Sequence, residues 1–445
     1  MNAEVINYII RFLVGTDLPL HQSAEEFIGY TADEQEMRRY KIVIRPSHFF
    51  RIRIYGTEEA YPKLPLEQWD GVPILYGKPV LSRPIDGGPL VVEADLVAST
   101  FFLISRYEEM YKRKVRDEHG RFVGKESLPY KAGFINRPIV DEYGVLLREI
   151  MRKEGIDIPE PPTHFSRVNL THDIDEPFEY RGFRGFLRAT IKEHKSPNEA
   201  TRLAFCAASQ DRYFTFPRFL EWNKALREQI GEDICETVFF FKSLGSHPLD
   251  APSYDLGSTN YTPLLELCRK RDVRFGLHCS YASSLNPDLI LREKQHLQKV
   301  SRHPIDISRH HYLAAREPED MAALIAAGIR HDYTMGYADV AGFRLGTSRP
   351  VHFIRPCTRR LTDLLLHPLI VMDCTLSRPS YMGFGYQEAR EYTLELIRQT
   401  AKHHGELNLL WHNVSLSNEL HPWLCKLYRE LLREVGRIYV HRRHM

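Results

Sequence analysis

No stretch of this 445-residue chain is long and apolar enough to span a bilayer. The most apolar run near the start, AEVINYIIRFLV at 3–14, is too short, is interrupted by Arg11 and lacks a small-residue cleavage site. It reads as an amphipathic first helix. Cysteine is scarce: seven residues, none among the first 205, and no CxxC. With that odd count and spacing neither a disulfide framework nor a zinc-finger site is indicated, and a cytoplasmic protein is expected. Net charge is nearly absent too. Sixty basic against fifty-eight acidic side chains leave +2, so no overall field calls for nucleic acid or an anionic membrane. Walker loops, GxGxxG and internal repeats are also missing, so a nucleotide-binding fold lacks its signature. What the chain does have is 43% hydrophobic residues, enough for a large core and too many for disorder.

A proline cluster, IPEPP at 158–162, divides the chain into an expected α+β domain at 1–160 and a second domain at 161–445. Upstream, KIVIRP (41–46), RIRIYG (51–56) and GVPILYG (71–77) read as strands and VASTFFLISRYEEMYKR (97–113) as a helix. RDEHGRF (116–122) reads as a polar turn. Downstream, seven β-rich runs begin at SRVNLT (166–171), ETVFFFK (236–242) and VRFGLH (273–278). They continue with GIRHDYTM (328–335), AGFRLGT (341–347), LIVMDCT (369–375) and LNLLWHN (407–413). Stretches with apolar residues at three-four spacing lie between many of them, at 216–231, 262–271, 319–328 and 386–405. Strands alternating with helices predict a parallel sheet, open or closed into a barrel.

Nearly every one of these strands ends in polar side chains that a connector does not need. They include Thr171-His172-Asp173-Ile174-Asp175, His278-Cys279-Ser280, Asp332, Arg344, Asp373 and His412-Asn413. In a parallel barrel the carboxyl ends of all strands gather on one face, where active sites lie. Any one of these residues alone reads as a hydrogen-bonded structural group; together they point to a site. In a continuing strand Asp173 and Asp175 project to one face. Two carboxylates facing one space are costly unless a cation binds, a proton is shared or water screens them. The alternative is an Asx-turn followed by a helix N-cap. Imidazoles are natural co-ligands for zinc, so Asp175, His278 and either His310 or His311 form a candidate ligand set.

In this order THDID, GLHCS, RHHYL, GFRLGTS and LLWHN resemble the polysaccharide deacetylase (NodB-homology) family, carbohydrate esterase family four. FFLISRYEE, HGRF and the segment around INRPIVDEYG extend the resemblance to a divergent bacterial branch with an extra N-terminal domain. The resemblance implies an α/β fold, a distorted (β/α)7 barrel preceded by a smaller α+β domain. It also implies a divalent metal, zinc by preference, and hydrolysis of an acetamide. By the same resemblance Asp173 is the catalytic base, Asp175 a metal ligand and His412 the general acid. Arg344 is similar to the arginine that orients the catalytic aspartate or polarises the site. The family's second motif carries two histidines four apart; here only His278 matches, and Ala282 holds the other position. His311 is therefore taken as the third ligand, with His310 as the alternative. Asp332 and Asp373 read as partners that orient a histidine or Arg344. Tyr281, Tyr337 and Trp411 are candidates to floor a sugar subsite.

The leading expectation is a metal-dependent N-deacetylase acting on an N-acetylated carbohydrate, with no nucleic-acid partner. A glycosidase using Asp173 and a second carboxylate would instead work without metal and survive loss of His278. A non-catalytic glycan-binding pseudoenzyme would bind sugar and release no acetate.

Overall fold

The first helix, Ala3–Val14, forms as its pattern dictates: Asn2 caps it by accepting from the Glu4 amide, and Val5, Ile9, Ile10 and Leu13 fall on one buried face. The structure, a computed structural model, describes residues 2–15 and 24–443. This helix packs on helix Ile139–Lys153 at Gly144, where a Cβ would lie 2.5 Å from the Leu13 carbonyl oxygen. Strands β1 (Ile28–Tyr30), β2 (Ile42–Ile44), β5 (Gly77–Ser82) and β6 (Leu90–Ala94) make a four-stranded sheet in the order β1-β2-β6-β5. Its first three strands are parallel and β5 is antiparallel. A separate ribbon pairs β3 (Glu67–Trp69) with β4 (Val72–Ile74). RIRIYG, expected as a strand, forms turns closed on the Arg51 carbonyl and leaves Ile52 exposed. The helix expected at 97–113 is two, Leu96–Ile104 and Tyr107–Tyr111, broken where Arg106 takes a left-handed φ of 61°.

The larger sheet has nine strands: β7 (Arg167–Ile174), β8 (Cys235–Lys242), β9 (Arg274–Cys279), β10 (Ile307–His310), β11 (His331–Met335), β12 (Val351–Arg355), β13 (Arg360–Pro368), β14 (Val371–Met372) and β15 (Glu406–Leu410). Their order is β12-β13-β11-β10-β9-β8-β7-β15-β14, and every pair is parallel except β12 with β13. Helices Phe216–Ile230, Thr262–Lys270, Met321–Ala326 and Tyr386–Lys402 lie close to the expected spans. AGFRLGT is not a strand but coil and turn, and three strands of this sheet were missed in the sequence: β10, too short to show a period, and the antiparallel pair β12 and β13.

The fold is thus mixed α/β built on parallel strands, and among the described residues no strand ladder closes the sheet into a ring. The outer edge of β13 is taken by its antiparallel partner β12, so the ladder stops there. The two ends of the sheet still meet. β13 leads into β14 through two residues, and Asn408 Nδ2 on β15 donates to the Pro368 carbonyl at 2.8 Å. One hydrophobic core runs through both sheets, with IPEPP as coil between helix Ile139–Lys153 and β7. Across this junction buried Asp141 accepts from Thr347, Ser348 and Arg349. Among the described residues no helix is long and apolar enough to cross a membrane.

His172 on β7 points away from the polar strand ends, into the core. Its Nδ1–H donates to the Trp411 carbonyl at 2.7 Å, and Nε2 accepts from Asn223 at 3.2 Å. Burial pushes its pKa down to about 3, so the folded chain keeps it neutral. The unfolded chain binds a proton there below roughly 6.5, and stability falls as pH drops from there toward 3. Urea titrations should show a shallower loss of stability on acidification in His172→Gln, by up to about 1.4 kcal/mol per pH unit. Parallel slopes for variant and wild type would exclude this imidazole as the acid-labile group.

Candidate metal centre

Because β7, β8, β9, β10 and β15 run parallel, their carboxyl ends gather at one end of the sheet. Asp173 is on β7 and Asp175 just beyond it; His278 is on β9, and His311 follows β10. His278 Nε2 lies 3.2 Å from Asp175 Oδ1 and 3.6 Å from Asp173 Oδ2, and His311 Nε2 lies 3.4 Å from the same Asp175 oxygen. The tautomers follow from the far side of each ring. His278 Nδ1 faces the Arg309 carbonyl at 3.0 Å, and a carbonyl only accepts, so Nδ1 carries the hydrogen. His311 Nδ1 faces Asp250 Oδ1 at 3.2 Å, with the same consequence. Both Nε2 atoms therefore present lone pairs to a carboxylate oxygen. Asp175 Oδ1 and His278 Nε2 are buried without any hydrogen-bond partner.

Such an arrangement is repulsive until a cation enters it. Two donors about 2.0–2.1 Å from one tetrahedral ion would sit roughly 3.3 Å apart, which the 3.2 and 3.4 Å separations match. Asp175, His278 and His311 thus fit a divalent metal. A second group, Asp373, Cys374 and His412, is also close-set. There His412 Nδ1 shares a hydrogen with Asp373 Oδ1 at 2.8 Å, so that nitrogen has no lone pair to give.

His311 reaches the site through an unusual backbone. Tyr312 and Leu313 both adopt left-handed φ, 59° and 55°, which costs on the order of 1 kcal/mol or more each. The turn aims His311 inward, while His310 faces Thr334 and Asp332. Asp250 holds His311 in turn. Its carboxylate accepts the amides of Tyr281 and Ala282, at 2.6 and 3.1 Å, at the start of helix Tyr281–Leu285. Burial opposes its charge, but His311 and these amides keep its pKa below the usual range. Ala282 thus acts through its backbone, helping to hold the carboxylate that orients His311.

Two further groups flank this set. Asp173 Oδ1 accepts from Arg309 at 2.9 Å, and that guanidinium, fully buried, also donates to Thr171 and the Tyr333 carbonyl. His412 Nε2 lies 3.6 Å from Asp175 Oδ2, and buried Asp373 binds both its Nδ1 and its backbone amide. Burial lowers the His412 pKa, but Asp373 and Cys374 raise it well above the ordinary value, so it carries a proton.

Other expected residues lie elsewhere. Arg344 is bidentate on Glu109 at 2.8 and 2.9 Å; it braces the helix Tyr107–Tyr111, and Arg309 occupies the place beside Asp173. Burial opposes the Glu109 charge, but Arg106 and Arg344 bring its pKa down to about 2. Asp332 binds Ser308 and Thr334, not Arg344. Trp411 is fully buried and Tyr337 packs with Phe122 and Val340, so neither can stack on a sugar. Tyr281 touches His119 and Arg316 beside the site. The cavity over the site, about 180 Å³, is instead lined by Tyr312, Tyr381, Arg378 and Arg121. Arg121 belongs to RDEHGRF, so that segment is more than a turn: its guanidinium holds the Tyr312 carbonyl at 2.8 Å and the Tyr381 hydroxyl at 3.1 Å.

Residues 2–155 match a family of unknown function, DUF7033. No curated protein matches the chain. Among solved structures, one from Mycobacterium smegmatis, provisionally described as a polysaccharide deacetylase, is similar at 15% identity with a TM-score of 0.39. The match covers 62% of this chain and 86% of that one.

Elemental analysis after zinc loading and desalting should find no bound ion in Asp175→Ala or His311→Ala. Asp250→Asn should weaken zinc affinity about 10–100-fold by loosening His311. Wild-type zinc binding by His311→Ala would remove that residue from the set.

Proposed function

We propose that this protein is a metal-dependent hydrolase that removes the acetyl group from the amine of an N-acetylated sugar, glycan or glycan precursor. One observation carries the reading: three acceptor atoms, on Asp175, His278 and His311, converge between the Asp173 carboxyl and the His412 ring, which Asp373 holds in place. The resemblance of the strand-end motifs to sugar deacetylases supports the substrate class.

A zinc-like ion held by these three side chains would polarise the amide carbonyl and make a water more acidic. Asp173 is the base. Its Oδ1 is engaged by Arg309, which leaves Oδ2 to take the proton of the attacking water. The hydroxyl adds to the acyl carbon and the C–N bond breaks. An amine does not depart as an anion, so it needs a proton as it leaves. His412 supplies it from Nε2, while Asp373 fixes the ring and stabilises its charge. Acetate departs, Asp173 gives up its proton, and His412 regains one from solvent. Arg121, Arg378 and Tyr381 at the cavity wall offer donors for sugar hydroxyls. The missing second-motif histidine does not argue for a pseudoenzyme, because His311 offers a lone pair in its stead.

The zinc-loaded protein should release acetate from N-acetylated oligosaccharides. Asp173→Asn and His412→Ala should each lower kcat by about 10²–10⁴-fold with the metal retained. Saturable sugar binding without acetate release by the loaded wild type would overturn the reading.

A further inference from the structure

Between β7 and helix Phe216–Ile230 the chain makes an excursion that the site does not use. Residues 182–192 form one continuous helical segment, Gly182–Leu187 in α geometry and Arg188–Lys192 in a π turn. One side packs inward: Ala189 is buried with Tyr180 and Ala200, and Phe186 and Leu203 close the patch. The other side does not pack. Phe183, Leu187 and Ile191 recur every four residues and are 67%, 37% and 66% exposed. Arg184, Arg188 and Lys192 recur at the same spacing, one position on. Arg188 pairs with Glu176 and Glu193, whereas Arg184 and Lys192 are exposed and take part in no ion pair among the described residues. The chain's balanced total charge conceals this local row of cations.

We propose that segment 182–192 is an interfacial helix that docks this protein on an anionic lipid surface. Four-residue spacing lays an apolar ridge along the helix with a basic ridge beside it, and that pairing suits a bilayer with acidic headgroups. The ridge enters the acyl boundary while the guanidinium and ammonium groups meet phosphates. A protein partner fits less well. Three exposed apolar side chains fall far short of the roughly 800 Å² per partner of a stable interface, and the unpaired cations would need a matching acidic row.

The segment is also coupled to the site. Arg188 contacts Glu176, which lines the site cavity directly after Asp175. A second cavity of about 700 Å³, lined by Phe183, Leu187 and Ile191, extends to Tyr254, whose hydroxyl donates to the Ile174 carbonyl between the two aspartates. A docked chain would hold its site beside the headgroups, within reach of a substrate carried on lipid. The docking itself stands whether or not the proposed reaction does.

The test is flotation of the full chain with phosphatidylcholine vesicles, with and without phosphatidylglycerol, at low and high salt. Wild type should float with the anionic vesicles about tenfold better than with the neutral ones, and less at high salt. The triple variant Phe183→Ser, Leu187→Ser, Ile191→Ser should lose this binding about tenfold with its melting temperature unchanged. Should that variant misfold, Arg184→Glu with Lys192→Glu carries the test and should abolish the anionic preference. No flotation of wild type, or equal flotation of both variants, overturns the proposal. So does a dimer in light scattering that the triple variant loses while vesicles bind neither protein.

Discussion

Three lone pairs face one another at the strand ends with no hydrogen between them, and much of the surrounding structure exists to hold them there. Asp175 Oδ1, His278 Nε2 and His311 Nε2 would drift apart or rotate if their far sides were free. They are not free. The Arg309 carbonyl fixes one ring and Asp250 the other, and Asp250 is fixed by two amides of a helix start. Two successive left-handed residues bring His311 into line, a local strain accepted for the sake of the site. Polar groups held unsatisfied against their own preference mark a place where a ligand completes the structure.

Charge around the centre is arranged in opposed pairs. Asp173 is matched by Arg309 and His412 by Asp373, each partner buried. Burial makes these pairs demanding, since removing one partner strands a charge in a poor dielectric. The N-terminal half contributes to this arrangement directly. Arg121 ties Tyr312 to Tyr381 over the cavity, and Glu109 takes up Arg344, so the two sheets share both a core and a site wall.

Much of this was legible in the residues, and the misses have physical causes. The alternation of strands and helices after residue 160 marked the parallel sheet, and the Asp-Ile-Asp spacing marked two carboxylates on one face, because both depend on local period alone. RIRIYG has a strand's alternation but closes into turns, and AGFRLGT has a strand's composition but lies in coil. Arg344 and Arg309 could not be told apart from spacing, since which arginine meets Asp173 depends on how β10 pairs with its neighbours. Asp250 sits in a loop with no motif around it; only the folded chain brings it beneath His311. Trp411, just past β15, adjoins a site residue in sequence yet is fully buried in the core.

X-ray absorption at the zinc edge of the loaded protein tests the central claim most directly. The account predicts one ion per chain with two imidazole nitrogens and a carboxylate oxygen at about 2.0–2.2 Å and no sulfur in its shell. A sulfur at about 2.3 Å would place the ion with Cys374 and His412 instead. That result, or the absence of any bound ion, would contradict the assignment of Asp175, His278 and His311.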